Sequence, residues 1–80
     1  MTTRKFGHRW WRQISIKEIK PGNIVCFVGR NYAEYWRKVK SVTHKGKIRT
    51  EAVKYMGTIA VPSKSIVPAD IVSAWAKGIG

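Results

Sequence analysis

The residues best suited to chemistry in this sequence are cationic side chains gathered between residues 36 and 49, where they are suited to bind phosphate groups. They are Arg37, Lys38, Lys40, Lys45, Lys47 and Arg49. The nearest acids, Glu34 and Glu51, stand just outside this stretch. An ordinary solvated sheet face mixes charges, because like charges directly opposite each other are destabilising. The unmixed charge therefore favours an anionic partner over a merely solvated surface.

The same stretch is predicted to be a β-hairpin. β-Branched and aromatic residues flank Lys45-Gly46, and glycine adopts the positive φ of a tight turn without steric cost. Successive side chains of a strand point to opposite faces, so Lys38 and Lys40 should share one face of the first strand. Lys47 and Arg49 should likewise share one face of the second. If the register sets these faces side by side, they form a basic ribbon that can follow a polyphosphate backbone.

Residues 1–13 form a basic aromatic segment, called the arm below. It contains Arg4, Lys5, Arg9 and Arg12 beside Phe6, Trp10 and Trp11. Such cations bind phosphates while the rings stack on bases or enter a minor groove, and the same combination suits an anionic membrane surface. The structural alternative is that one or both tryptophans only cover an open end of the core, which fits Trp11 best. Gly7 interrupts regular structure, so part of the arm is expected to be mobile in isolation.

Composition limits the class of protein. Eighty residues, 44% of them apolar, make one folded domain, assigned to residues 14–80 behind the arm. The 16 Lys and Arg against 4 Asp and Glu give a charge of +12, whose self-repulsion a nucleic acid would offset. The single cysteine, Cys26, lies in the apolar run I-V-C-F-V and cannot form an internal disulfide, which favours a cytoplasmic location. Neither a signal peptide nor a membrane-spanning segment is expected.

Hydrophobic patterning predicts a mainly β fold of about five short strands. They are expected at residues 23–28, 32–44, 47–56, 58–62 and 66–68. The first strand is apolar throughout, so it should be buried on both faces, with the arm as its cover. Val39 and Val42 are three apart, and a β-bulge near Lys40-Ser41 would bring both to the core. Residues 70–77 suit either a short helix capped by Asp70, which the capping pattern favours, or a closing strand.

Four segments between residues 19 and 68 carry a resemblance to a known fold. They are I-K-P-G-N-I-V-C-F-V, Y-W-R-K-V-K-S-V, K-G-K and G-T-I-A-V-P. Together they resemble the SH3-like small barrels, including the KOW and Tudor-like branches, and in particular the basic chromatin proteins and viral DNA-binding proteins. In DNA-binding members, the resemblance implies, a basic three-stranded face lies on the duplex while central apolar residues wedge into the minor groove. Trp36 and Tyr55 are the candidates for that role here.

The sequence is poor in catalytic signals. Its four acids are scattered, and its two histidines and one cysteine lie in separate segments, short of a zinc set or a nucleophile arrangement. The glycines separate elements and form no phosphate-binding loop. We therefore expect neither enzymatic activity nor a metal or other cofactor.

These observations predict a non-enzymatic nucleic-acid-binding protein, with double-stranded DNA of weak sequence preference favoured as partner. The predicted binding residues are Arg4, Lys5, Arg9, Trp10, Arg12, Arg30, Trp36, Arg37, Lys38, Lys40, Lys45, Lys47 and Arg49. Two alternatives stay open: an RNA-binding or ribosome-associated small barrel, and a small phage or viral module that binds an acidic host protein. A membrane partner is disfavoured. The corresponding location is the cytoplasm, on the nucleoid or in a virus-infected host cell.

Overall fold

Most of the chain forms one antiparallel sheet. The computed structural model describes residues 2–29 and 31–78, and these form nine strands. The strands are β1 (Thr3–Phe6), β2 (Arg9–Ile14), β3 (Ile24–Val28), β4 (Glu34–Val42), β5 (Ile48–Thr50), β6 (Val53–Tyr55), β7 (Thr58–Val61), β8 (Ser65–Ile66) and β9 (Ile71–Lys77). Two 3-10 helices, Ile16–Glu18 and Pro68–Asp70, join strands. The predicted mainly β class is confirmed.

The strand order places the last strand in the interior of the sheet. Seven strands lie in the order β1-β2-β9-β3-β4-β5-β8, and β6 and β7 form a separate two-stranded hairpin. The larger sheet ends at β1 on one side and at β8 on the other, and it is not closed into a barrel. Because β9 pairs with both β2 and β3, the two ends of the chain are joined through the middle of the sheet.

The favoured helix at residues 70–77 is wrong, and the strand alternative is what the chain adopts. Asp70 belongs to a 3-10 helix, and β9 follows it directly. Ile71 and Ala74 are both buried although they are three residues apart. The register against β3 shifts here, with Cys26 opposite Ser73 and Phe27 opposite Ile71, so Val72 is an extra residue in β9. The bulge therefore produces the spacing that the sequence pattern assigned to a helix.

The predicted bulge in β4 is present. Val39 lies opposite Thr50 while Ser41 lies opposite Arg49, so the register shifts at Lys40. Val39 is 1% exposed, as expected of a core residue. The expectation that Val42 is also in the core is wrong, because its side chain is 38% exposed. Strand β3 pairs with β4 only as far as Lys38, so nothing on that side covers the end of β4.

The prediction of about five strands is too low, for three local reasons. The arm, expected to be partly mobile, forms the hairpin β1–β2, with Gly7 at φ +62° in its turn. The predicted third strand divides after Thr50 into β5, which pairs with β4 and β8, and β6, which pairs with β7. The C-terminal segment then adds β9.

One face of the sheet, called the inner face, carries the main core. Val25, Phe27 and Val39 mark this face on β3 and β4. The complete cluster consists of Ile14, Ile19, Val25, Phe27, Val39, Ile48, Ile66, Ile71 and Ala74. Every strand of the larger sheet except β1 contributes to it, so apolar burial holds the strands in their order.

The opposite face, called the outer face, carries an aromatic cluster of Phe6, Trp11, Trp36 and Trp75. The Phe6 ring lies 5.1 Å from Trp36, 5.9 Å from Trp75 and 6.2 Å from Trp11 between centroids. Cys26 is 1% exposed on the same face, opposite Trp36. Strand β3 is thus buried on both sides, as its apolar run predicts, and the arm supplies the cover.

Burial controls the chemistry of Cys26. Its Sγ donates to Glu34 Oε2 at 3.6 Å. Burial first, and then the nearby Glu34 carboxylate, raise the pKa of the thiol from 9.0 to about 11. The thiolate is the reactive form of cysteine, so the folded protein holds this group in its unreactive state at neutral pH. Cys26 therefore acts as a small core residue.

Phe6→Ala should destabilise the protein by about 2 kcal/mol, because it removes a ring that contacts three tryptophans. Urea unfolding followed by tryptophan fluorescence measures the change. Tyr32→Ala is the matched control, since Tyr32 is 90% exposed and should cost less than about 0.5 kcal/mol. Equal losses in the two variants would contradict the packing role of Phe6.

The raised pKa of Cys26 predicts a pH dependence. A group whose pKa is higher in the folded state stabilises fully below its unfolded pKa, and this contribution is lost as pH rises through the folded value. The difference in unfolding free energy between the wild type and Cys26→Ala should therefore shrink between pH 9 and 11. A constant difference across that range would contradict the assignment, as would labelling of the native thiol by iodoacetamide at the rate of free cysteine.

Candidate nucleic-acid interface

Alternation about buried residues and the bulge of β4 place cations on the outer face. Lys38 precedes the buried Val39 and projects from the opposite surface of β4. Lys40 is the extra residue of the bulge, so it lies beside Ser41 and faces Arg49 on β5. Arg49 lies between the buried Ile48 and Thr50 and projects the same way from β5. Lys47 directly precedes Ile48 and is exposed. We call Lys38, Lys40, Lys47 and Arg49 the basic ribbon.

The turn between β4 and β5 fixes the far end of the basic ribbon. The Thr43 amide donates to the Lys47 carbonyl at 2.9 Å, and the Lys47 amide donates to Thr43 Oγ1 at 3.1 Å. The Gly46 amide donates to the Thr43 carbonyl at 2.8 Å, with Gly46 at φ +87°. Lys45 is exposed at the tip. These bonds hold the backbone of the basic side chains in place, which lowers the entropy lost on binding a ligand.

Acids stand only at the two ends of the hairpin. The Glu51 amide donates to the Lys38 carbonyl at 2.8 Å, which places Glu51 beside the first lysine of the basic ribbon. Glu34 begins β4 and lies against Cys26. The segment between these positions therefore presents one sign of charge, as its sequence does.

The structure separates Arg37 from the other cations of the hairpin. Arg37 lies opposite the fully buried Val25, which places it on the inner face of the sheet. Its Nη1 donates to the carbonyl of Trp36 at 2.8 Å, and its guanidinium lies 5.7 Å from the centroid of the Tyr35 ring. It belongs to a different surface from the basic ribbon.

Trp36 is committed to packing. It is half-buried between Phe6 and Trp75. The guanidinium of Arg4 lies 4.5 Å from its ring centroid and covers it as a cation–π pair. A wedge into a groove would require Arg4 and Phe6 to move away. Tyr55, at 72% exposure on the β6–β7 hairpin, is the free ring of the two predicted wedges.

The arm divides its cations between the two faces. Arg4 and Arg9 share the parity of Phe6, and Arg4 extends the positive charge of the outer face beside the basic ribbon. Lys5 and Trp10 lie opposite each other on β1 and β2 and project from the other face of the hairpin. Trp10 is 51% exposed. Arg12 lies farther away and lines a groove of about 470 Å³. Arg30, also a predicted binding residue, lies outside the residues that the structure describes.

Sequence reasoning missed three lysines that the fold places beside predicted ones. Lys64 lines a cleft with Arg37, while Lys17 and Lys20 line the groove with Arg12. Lys64 lies in S-K-S after Pro62, a pattern that indicates only a turn. Lys17 and Lys20 follow i, i+3 spacing in a short segment, which was a usable signal for a shared face.

Residues 2–29 and 31–78 carry neither a metal-ligand cluster nor a membrane-spanning helix. They contain no group of three or more His, Cys, Asp or Glu side chains placed to hold a metal ion. They also contain no helix that is long and apolar enough to cross a membrane.

Comparisons with protein-family models, with curated proteins and with solved structures found no match to this chain.

Proposed function

We propose that this protein binds nucleic acid without catalysing a reaction, and that its partner is double-stranded DNA bound with weak sequence preference. The observation that carries the proposal is the basic ribbon, a set of cations of one sign on one surface of a hydrogen-bonded hairpin. Lysine and arginine side chains on phosphates fix position and release counterions but carry no base information.

The charges of the surrounding protein support this proposal. The chain carries 16 Lys and Arg but only 4 Asp and Glu. The acids are too few to balance the cations, and the resulting net charge of +12 attracts an external anion. The same field would hold the protein on DNA in the cytoplasm, on a nucleoid or in an infected cell.

We also propose that the fold is a variant of the SH3-like small barrels, with an added arm hairpin. Three features support this relationship: the turn at Pro21-Gly22 ahead of β3, with Gly22 at φ +94°, the bulged long strand β4, and the basic hairpin to β5. The open edge at β8 and the interior position of β9 are departures from a closed barrel.

A second candidate, an RNA-binding or ribosome-associated protein, is favoured by the exposed rings of Trp10 and Tyr55. Unpaired RNA bases are recognised by stacking on such rings, whereas phosphate contacts alone serve duplex DNA. The basic ribbon is common to both candidates, so the choice of nucleic acid distinguishes them.

Replacing the four residues of the basic ribbon by alanine should remove most of the salt dependence of duplex DNA binding. Wild-type protein with about five phosphate contacts should give a log–log slope of about −4 to −5, and the variant a slope of about −1. Fluorescence anisotropy with a short labelled duplex at several salt concentrations measures both. The result contradicts the proposal if the wild-type slope is near zero.

A charge-matched control separates local contacts from net charge. Alanine at Lys17, Lys20, Lys54 and Lys77 removes the same charge from exposed positions off the basic ribbon, and its slope should stay within about one of the wild-type value. If both variants lose affinity equally, the basic ribbon is not the site. Stronger competition by single-stranded RNA than by duplex DNA would favour the second candidate, and capture of one acidic protein with weak nucleic-acid binding would favour the protein-interaction alternative.

A further inference from the structure

The inner face of the sheet carries a cleft that the basic ribbon does not use. It has a volume of about 470 Å³ and lies between β3 and β4 on one side and the segment after β7 on the other. Its lining consists of Phe27, Gly29, Tyr35, Arg37, Thr50 and the segment 61–64. The volume lies in the range of small-molecule sites. Because Arg37 projects from the inner face and the basic ribbon lies on the outer face, the cleft and the basic ribbon lie on opposite faces of β4.

Two aromatic rings form the apolar floor of the cleft. Phe27 and Tyr35 are stacked, with centroids 5.8 Å apart and ring planes 29° from parallel. The Tyr35 ring lies directly against Gly29, where a Cβ atom would overlap its Cε2. Glycine at this position thus leaves room for the ring, and Tyr35 remains 37% exposed.

Two cations stand over these rings. The Arg37 guanidinium lies 5.7 Å from the Tyr35 centroid, and Lys64 Nζ lies 5.5 Å from the Phe27 centroid. Nη1 of Arg37 is bonded to the Trp36 carbonyl, so one edge of the guanidinium is fixed while its other nitrogens can donate. No acid is among the described residues that line the cleft. The electrostatics therefore favour an anion.

The backbone of Lys64 is held in place by Thr50, which is 1% exposed. The Thr50 amide donates to the Lys64 carbonyl at 2.9 Å, and the Thr50 hydroxyl lies 3.3 Å from the same oxygen. The Lys64 amide lies 3.0 Å from Thr50 Oγ1 and donates to it. The rim that carries this lysine is therefore ordered before any ligand arrives, and this preorganisation favours binding.

We propose that the cleft binds a phosphorylated nucleoside, with the base stacked on Tyr35 and the phosphate held by Arg37 and Lys64. A stacking surface beside two cations requires a ligand that carries a planar ring and an anionic group together. The same chemistry is presented by a free mononucleotide and by the phosphorylated end of a single strand. This inference is independent of duplex binding by the basic ribbon.

The direct probe is adenosine 5′-monophosphate, titrated into the full-length ¹⁵N-labelled protein. We expect the amide signals of Gly29, Thr50 and Ser63 to shift in a saturable manner. Adenosine and inorganic phosphate, each lacking one half of the ligand, should bind at least about tenfold more weakly. Shifts confined to the arm or the basic ribbon would overturn the proposal, and so would equal binding of inorganic phosphate.

Two variants test the two halves of the site. Arg37→Gln with Lys64→Gln should weaken binding of the nucleotide about tenfold or more, whereas Lys38→Gln with Lys40→Gln, which removes the same charge from the outer face, should leave it unchanged. Gly29→Ala keeps both cations but displaces the Tyr35 ring, and it should also weaken binding. Equal effects of the two double variants would overturn the site.

Comparing a mononucleotide with a phosphorylated oligonucleotide, on the wild type and the same variants, shows which of the two ligands the cleft receives. If a 5′-phosphorylated single-stranded oligonucleotide binds more tightly than the mononucleotide, and Arg37→Gln with Lys64→Gln removes the gain, the cleft receives a strand end. Equal affinities identify a free mononucleotide. Arg37→Gln with Lys64→Gln leaves the basic ribbon intact, so failure of this proposal and failure of duplex binding are separate results.

Discussion

Packing of the arm hairpin against the outer face of the sheet is the interaction on which the rest of the structure depends. Strand β3 is buried on both sides, and Phe6 joins Trp11, Trp36 and Trp75 over its outer side. A domain of this size has little apolar surface to spare for one core. By dividing its apolar side chains between two faces, the chain stabilises the central strands β3 and β9 from both sides.

This arrangement determines where binding surfaces can form. The aromatic cluster covers one end of the outer face, and the cations of β4 and β5 occupy the other. Because Trp36 is held by Phe6 and by the guanidinium of Arg4, β4 is anchored two residues before Lys38. Its opposite side carries Arg37 over Tyr35. One strand thus presents cations to both surfaces, each on a backbone fixed by packing.

Much of this could be predicted from local patterns, and the failures share a physical origin. The apolar run at β3 predicts burial on both sides, and the spacing of Val39 and Val42 predicts the bulge. The same three-residue spacing at Ile71 and Ala74 also marks a bulge, but it was interpreted as a helix. The period alone does not separate the two cases, because β9 is a strand owing to its partners β2 and β3, which are distant in sequence.

The same difference between local patterns and long-range pairing applies to the residues of the candidate site. Alternation about the buried Val39 and Ile48 places Lys38 and Arg49, and the bulge that the valine spacing predicts places Lys40. Arg37 could not be separated from its neighbours in this way, because its face depends on the register against β3. Lys64 was missed since its position depends on Thr50, fourteen residues earlier in the chain.

The most direct test of the account is residue-level mapping of duplex DNA binding by amide chemical shifts in the full-length protein. If the basic ribbon binds the duplex, saturable shifts will concentrate at residues 38–41 and 45–49, and the groove beside Arg12 and the cleft beside Arg37 will be unaffected. Shifts spread evenly around the molecule, or concentrated at the groove with the basic ribbon silent, would contradict the claim that these cations act together as one phosphate-binding surface.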